Sequence, residues 1–199
     1  MENTGTLVVS LPGIDRQFRL DEWVHGRIFS TVRYGANQSA TVNAYSYIQG
    51  QTVPDGGSSA TERDTNMPEP ARLPVGWEAL IFSHQIEPAV AITLADIQDV
   101  QTKALYTLKV GRNVVYEAPL SRLPAGGGVS LVTTANATSQ VNNGNPEPGA
   151  RASFLIPVNL REMKTFSTQS IFPSALSLAA VRLFTHYLEG LIKRPIDTV

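Results

Sequence analysis

The stretch Leu176-Ser-Leu-Ala-Ala-Val-Arg-Leu-Phe-Thr-His-Tyr-Leu-Glu-Gly190 admits two readings, and the choice between them decides the fold. As a helix it would open at Pro173-Ser174, bury Leu176, Ala179, Ala180, Leu183, Phe184, Tyr187 and Leu188, and close at Gly190. As a strand it places Val181, Leu183, Thr185 and Tyr187 on one face and Phe184, His186 and Leu188 on the other. Glu189-Gly190 then reads as a hairpin turn into Leu191–Ile196. Local pattern favours the helix. Agreement with the rest of the chain favours the strand, because natural sequences are consistent between local and global preference. We take the strand from about Ala180.

The rest of the chain is short β-like runs punctuated by Gly, Pro and Asn. Ala104–Tyr116 is the clearest hairpin, with Tyr106, Leu108 and Val110 alternating against Thr107 and Lys109 before a Gly111-Arg112 turn. Glycine at the first of two loop positions suits a type II′ turn. Trp77–Ile86 is apolar on both faces and reads as a central strand. Ala152–Leu160 is interrupted by Pro157, which lacks a ladder donor, so it reads as an edge. Thr6–Ser10, Gln17–Leu20, Ile28–Tyr34 and Val129–Thr134 are further strands, with a turn or one helical turn at Asp21-Glu22-Trp23. Ser39–Gln49 alternates as a strand with Tyr45 and Tyr47 on one face. Leu94, Ile97 and Val100 fit either a short helix or a polar loop, and Pro119–Gly128 reads as an extended, glycine-terminated segment. Residues 51–74 and 136–149 read as long polar surface loops, and residues 1–16 as an N-terminal segment. The expected fold is therefore all-β: one domain over residues 1–199, an antiparallel β-sandwich of the jelly-roll kind with long surface loops.

Composition narrows the function. The chain has no Cys, which removes thiol nucleophiles, disulfides and Cys-ligated metals. Lys+Arg number 16 and Asp+Glu 17, and the charged share of 17% lies below the usual ~25%. There is no basic arm, so sequence-specific or phosphate-gripping contact with nucleic acid is not expected. No apolar run is long enough to span a bilayer, and Met1–Gly5 lacks the start of a secretory signal.

Nothing in the sequence assembles catalytic machinery, so catalytic, cofactor-binding and metal residues are read as none, cofactors as none, and the chain as no enzyme. His25, His84 and His186 are dispersed, and His84 with Glu87 would point to opposite faces of a strand. Gly126-Gly127-Gly128 lacks the lysine and hydroxyl of a phosphate loop. Asp21-Glu22 and Asp96 with Asp99 read as solvated loop ends. Tyr45 and Tyr47 are either a sugar-stacking platform or part of a core or intersubunit contact, and the second is favoured. Trp23 and Trp77 read as core anchors.

Two segments carry a resemblance. One is Tyr106-Thr-Leu-Lys-Val-Gly-Arg-Asn-Val-Val-Tyr-Glu-Ala-Pro119, running into Leu120-Ser-Arg-Leu-Pro-Ala-Gly-Gly-Gly128. The other is Phe172-Pro173 followed by Val181–Gly190 and Leu191-Ile-Lys-Arg-Pro195. Together they resemble the later strands of single jelly-roll capsid proteins from tailless icosahedral bacteriophages. The resemblance implies a viral structural protein of the virion, a capsid subunit that self-assembles through lateral contacts. Its partners would be other copies of itself, with other capsid chains and an internal membrane as further candidates. The competing expectation is a carbohydrate-binding β-sandwich using Tyr45 and Tyr47.

Overall fold

Residues 172–181 form neither helix nor strand, with bends at 173–174 and 179–180, and their backbone partners explain why. Leu176 and Leu178 donate their N–H groups to the carbonyls of Gln38 and Ala36, while Ser177 and Ala179 donate to the carboxylates of Asp99 and Asp96. Successive N–H groups thus point alternately to two neighbours, which satisfies the backbone without a helix. The chain is a computed structural model described over residues 6–11, 14–19, 22–53, 58–88, 92–123, 130–133, 139–142 and 152–194.

The described strands are β1 (Thr6–Leu11), β2 (Ile14–Arg19), β3 (Trp23–Tyr34), β4 (Val42–Ala44), β5 (Glu78–Pro88), β6 (Leu105–Val110), β7 (Asn113–Pro119), β8 (Ser130–Thr133), β9 (Ser139–Asn142), β10 (Ala152–Leu160), β11 (Phe166–Ile171) and β12 (Arg182–Lys193). A single α-helix among the described residues, α1 (Leu94–Lys103), joins β5 to β6. Two four-stranded antiparallel sheets have the orders β10-β5-β12-β3 and β4-β11-β6-β7. β1 pairs with β2 and β8 with β9 as separate hairpins. In the two large sheets the pairing is nested: β3 with β12, β4 with β11, β5 with β10, β6 with β7. The first of these eight strands lies beside the last, the second beside the seventh, and so inward to one central hairpin.

The core lies between the sheets. Ile28, Val32 and Tyr34 of β3, Ala79, Ile81 and Ile86 of β5, and Phe184, Leu188 and Ile192 of β12 face Val42 and Ala44 of β4, Tyr106, Leu108 and Val110 of β6, and Phe166 of β11. The helix contributes Ile97 and Val100, so the Leu94/Ile97/Val100 pattern belongs to a helix rather than a loop. Thr93 caps it by accepting from the Asp96 N–H at 3.2 Å.

The all-β antiparallel sandwich stands as expected, as do the Gly111 hairpin, the central position of β5 and the edge position of β10. Gly111 has φ +63°, and β10 breaks register between Ser153 and Val158, around Pro157.

Several local expectations are corrected. There is no turn at Glu189-Gly190; β12 runs through it unbroken against β3. Against β5 the register slips there, because Phe82 is an extra residue between Ser83, opposite Glu189, and Ile81, opposite Gly190. The bulge brings the β5 backbone so close that a side-chain carbon at Gly190 would sit 1.9 Å from the Leu80 carbonyl oxygen. Glycine at this position marks a close approach of strands, not a turn.

Ser39–Gln49 holds only the short strand β4, since Tyr45 leaves it with φ +64°. Residues 51–74 are not simply solvated: Val53, Ala60, Thr65, Met67 and Leu73 are buried. Strand β9 lies inside the span read as the 136–149 loop. Trp23 belongs to β3 and packs with Leu80 in a small cluster apart from the main core, whereas Trp77 is only partly buried against that core. A 3₁₀ turn at Leu120–Arg122 opens the segment read as extended. Gly126-Gly127-Gly128 and Asp21 lie outside the described residues.

Candidate functional site

The polar residues singled out by the sequence are mostly interior. Tyr45 donates its hydroxyl to the His186 carbonyl at 3.0 Å, and Tyr47 donates to the Thr31 carbonyl. Both rings are buried, so the sugar-stacking platform is excluded for this pair and the core reading holds. His84 and His186 meet between the sheets with ring centroids 5.6 Å apart, while His25 is exposed on β3. His186 sits with Nε2 3.3 Å from the Tyr34 hydroxyl and Nδ1 3.2 Å from the Thr168 hydroxyl. His84 stacks on Tyr106 at 4.2 Å, and neither of its ring nitrogens has a hydrogen-bond partner. Burial, with His186 alongside, holds His84 well below the ordinary imidazole value, and burial alone holds His186 at about 3. These imidazoles are neutral packing elements at physiological pH. Among the described residues no group of three His, Asp or Glu side chains is placed to hold a metal ion.

The acidic pair read as a solvated loop end is a fastener. Asp96 is buried, accepts from the Ala179 N–H at 2.9 Å and pairs with Arg182 at 2.5 Å. Asp99 accepts from the Ser177 N–H at 2.7 Å and pairs with Lys103 at 2.6 Å. Burial pushes both carboxyls up, but these donors outweigh it and leave each below the usual carboxylate value. Together they lock the approach to β12 onto α1. Glu22 bridges to Lys193 at 2.9 Å.

The informative surface is the rim of the sandwich, where the two sides are treated differently. On the β3 side the chain covers its own edge: the Thr31 N–H bonds to the Asp64 carbonyl, Phe29 N–H to the Asn66 side chain, and Thr65 Oγ1 to the Phe29 carbonyl. This is a standard protection of an edge strand against unwanted pairing. On the opposite side, β7 and β10 each end their sheet, and among the described strands neither has a second partner. That open rim is apolar. Leu155 is 96% exposed, Ile156 65%, Val114 51% and Val115 44%.

Both strands carry bulges there. β7 has Val115 as an extra residue between Tyr116, opposite Leu108, and Val114, opposite Lys109. β10 sets residues 154–157 against Phe82 alone. The bulges turn these side chains outward while Tyr116 and Phe154 close the gap beneath them, edge to face with centroids 5.1 Å apart. Sequence reading passed over this rim. The signal was present in Val114-Val115 and Leu155-Ile156, consecutive apolar pairs that no period-2 strand can bury on one face.

Comparison with known proteins adds no relative: no family model, curated protein or solved structure matches the chain.

Proposed function

We propose that this chain is a viral structural protein: a capsid subunit with jelly-roll topology that self-assembles into an icosahedral shell through lateral contacts. The nested pairing of eight strands supports the jelly roll, an arrangement of two Greek keys in two sheets. The observation that carries the assembly reading is the asymmetry of the rim. One long edge is covered between Arg27 and Thr31 by the chain's own Asp64, Thr65 and Asn66, leaving Val24 exposed at its start, and the other presents Val114, Val115, Leu155 and Ile156 to solvent. Contiguous exposed apolar side chains on an otherwise well-packed domain mark a contact surface.

The partners are other copies of the chain, with other capsid proteins or an internal membrane beyond them, and the site of action is the virion. Sequence-specific nucleic-acid binding is no part of the proposal, consistent with the balance of 16 basic and 17 acidic residues. Sedimentation velocity of the purified chain across concentration and salt tests this reading. Reversible assembly into discrete species well beyond the dimer is the expected outcome; a chain that stops at monomer or dimer under every condition would overturn it.

A further inference from the structure

The apolar stretch on β7 is flanked by opposite charges. Arg112 precedes Val114-Val115-Tyr116 and Glu117 follows it, and both charged residues are exposed. If two such stretches lie side by side and antiparallel about an axis through Val115, Asn113 of one copy faces Glu117 of the other, with Arg112 next to it. Val114 faces Tyr116. The juxtaposition places Arg112 beside Glu117 at both ends of the contact. A parallel arrangement would instead put like charges together. A patch that complements itself in this way has the form required of an isologous two-fold interface.

We infer that two copies of this chain meet through the bulged β7 edge about a two-fold axis near Val115, with Leu155 and Ile156 of β10 widening the apolar contact. The Val115 bulge interrupts the regular ladder, so the contact is made chiefly by side chains rather than by adding strand to strand. The exposed Val114, Val115, Leu155 and Ile156 supply the attraction, and the Arg112–Glu117 pairs fix orientation, the role rim charges commonly have. This inference rests on the proposed self-assembly only in taking a second copy as the occupant.

The test uses charge reversal in the full-length chain. Arg112→Glu alone sets the introduced carboxylate of one copy against Glu117 of the other, and Glu117→Arg alone sets two guanidinium groups together. Each single variant is expected to raise the self-dissociation constant about tenfold, as two exposed pairs change from attraction to repulsion. Mixing the two single variants in equal amounts restores association, because in the mixed dimer each copy's altered charges meet their opposites. The double variant restores it too.

Leu155→Asp, at a side chain open to solvent, weakens association while leaving the far-UV circular dichroism and the unfolding midpoint unchanged. Single variants that associate like the wild type, or a mixture that stays dissociated, would overturn the inference. So would a chain that remains monomeric and uses this edge for a different partner. The two readings fail separately. Large particles indifferent to all these variants sink this contact and spare the shell, whereas dimers that obey the charge pattern and grow no further spare the contact and sink the shell.

Discussion

Substituting Gly190 by alanine puts the most direct strain on the central ladder. The added carbon would lie 1.9 Å from the Leu80 carbonyl oxygen, 2.8 Å from the Leu80 carbonyl carbon and 2.9 Å from the Ile81 Cα. Ordinary carbon–oxygen contacts begin near 3.3 Å, so β12 and β5 must separate by about 1.4 Å at their tightest point. All three obstructing atoms are backbone, and no rotamer change relieves them. Separation breaks ladder hydrogen bonds worth about 1 kcal/mol each on both sides and opens the packing beneath them. The expected loss exceeds ~4 kcal/mol, against a total stability of about 5–15 kcal/mol for a domain.

Gly26, which pairs directly with Gly190 across the β3–β12 ladder, is the control. A carbon there meets only the side chain of Ile192, whose terminal methyl lies 2.9 Å away and can rotate aside at a cost of about 1 kcal/mol. Urea denaturation followed by tryptophan fluorescence and circular dichroism reads both variants. Gly190→Ala within ~1 kcal/mol of wild type, or Gly26→Ala equally damaged, would refute the bulge at Phe82 as the reason for glycine.

Two further expectations follow from the interior. The unfolded chain binds protons at His84 and His186 below about pH 6.5, whereas the folded chain resists, at His186 down to about pH 3. Stability is therefore fully present above pH 6.5 and falls as the pH drops towards 3, by up to about 1.4 kcal/mol per pH unit for each histidine. As the pH falls below the ordinary carboxylate value of about 4, protonation of Asp96 and Asp99, whose folded values are lowered, removes a further share. Urea midpoints that stay flat between pH 7 and 4.5, or that fall equally in a His84→Leu/His186→Gln variant, would contradict the histidine account. Asp96→Ala leaves Arg182 without its closest partner and frees the Ala179 N–H, with an expected cost of about 3 kcal/mol at pH 7 that thermal unfolding would register.

The sandwich was legible because its signals are local and repeated. The Gly111 turn, the two-faced apolar run of β5 and Pro157 at an edge each depend on a few neighbouring residues. The failures occurred where distant residues set the conformation. Leu176 to Ala179 keep a helix-like spacing, yet their N–H groups are taken by residues 36–38 and by Asp96 and Asp99, far away in sequence. Gly190 looked like a turn because nothing local announces a bulge on the opposite strand. Tyr45 and Tyr47 alternate like an exposed stacking face, but their hydroxyls reach the His186 and Thr31 carbonyls inside the fold. Acidic residues gave the same lesson, since Asp96 and Asp99 acquire their role only when the approach to β12 arrives beside the helix. The candidate contact rim was written in two consecutive apolar pairs, and became visible once both were placed on edge strands.

Negative-stain electron microscopy of the concentrated full-length chain, with Leu155→Asp beside it, tests the central claim most directly. Assembly into closed particles of uniform diameter that disappear with Leu155→Asp is the predicted result. Dispersed single subunits in the wild-type field, at concentrations where a shell protein would have assembled, would contradict it.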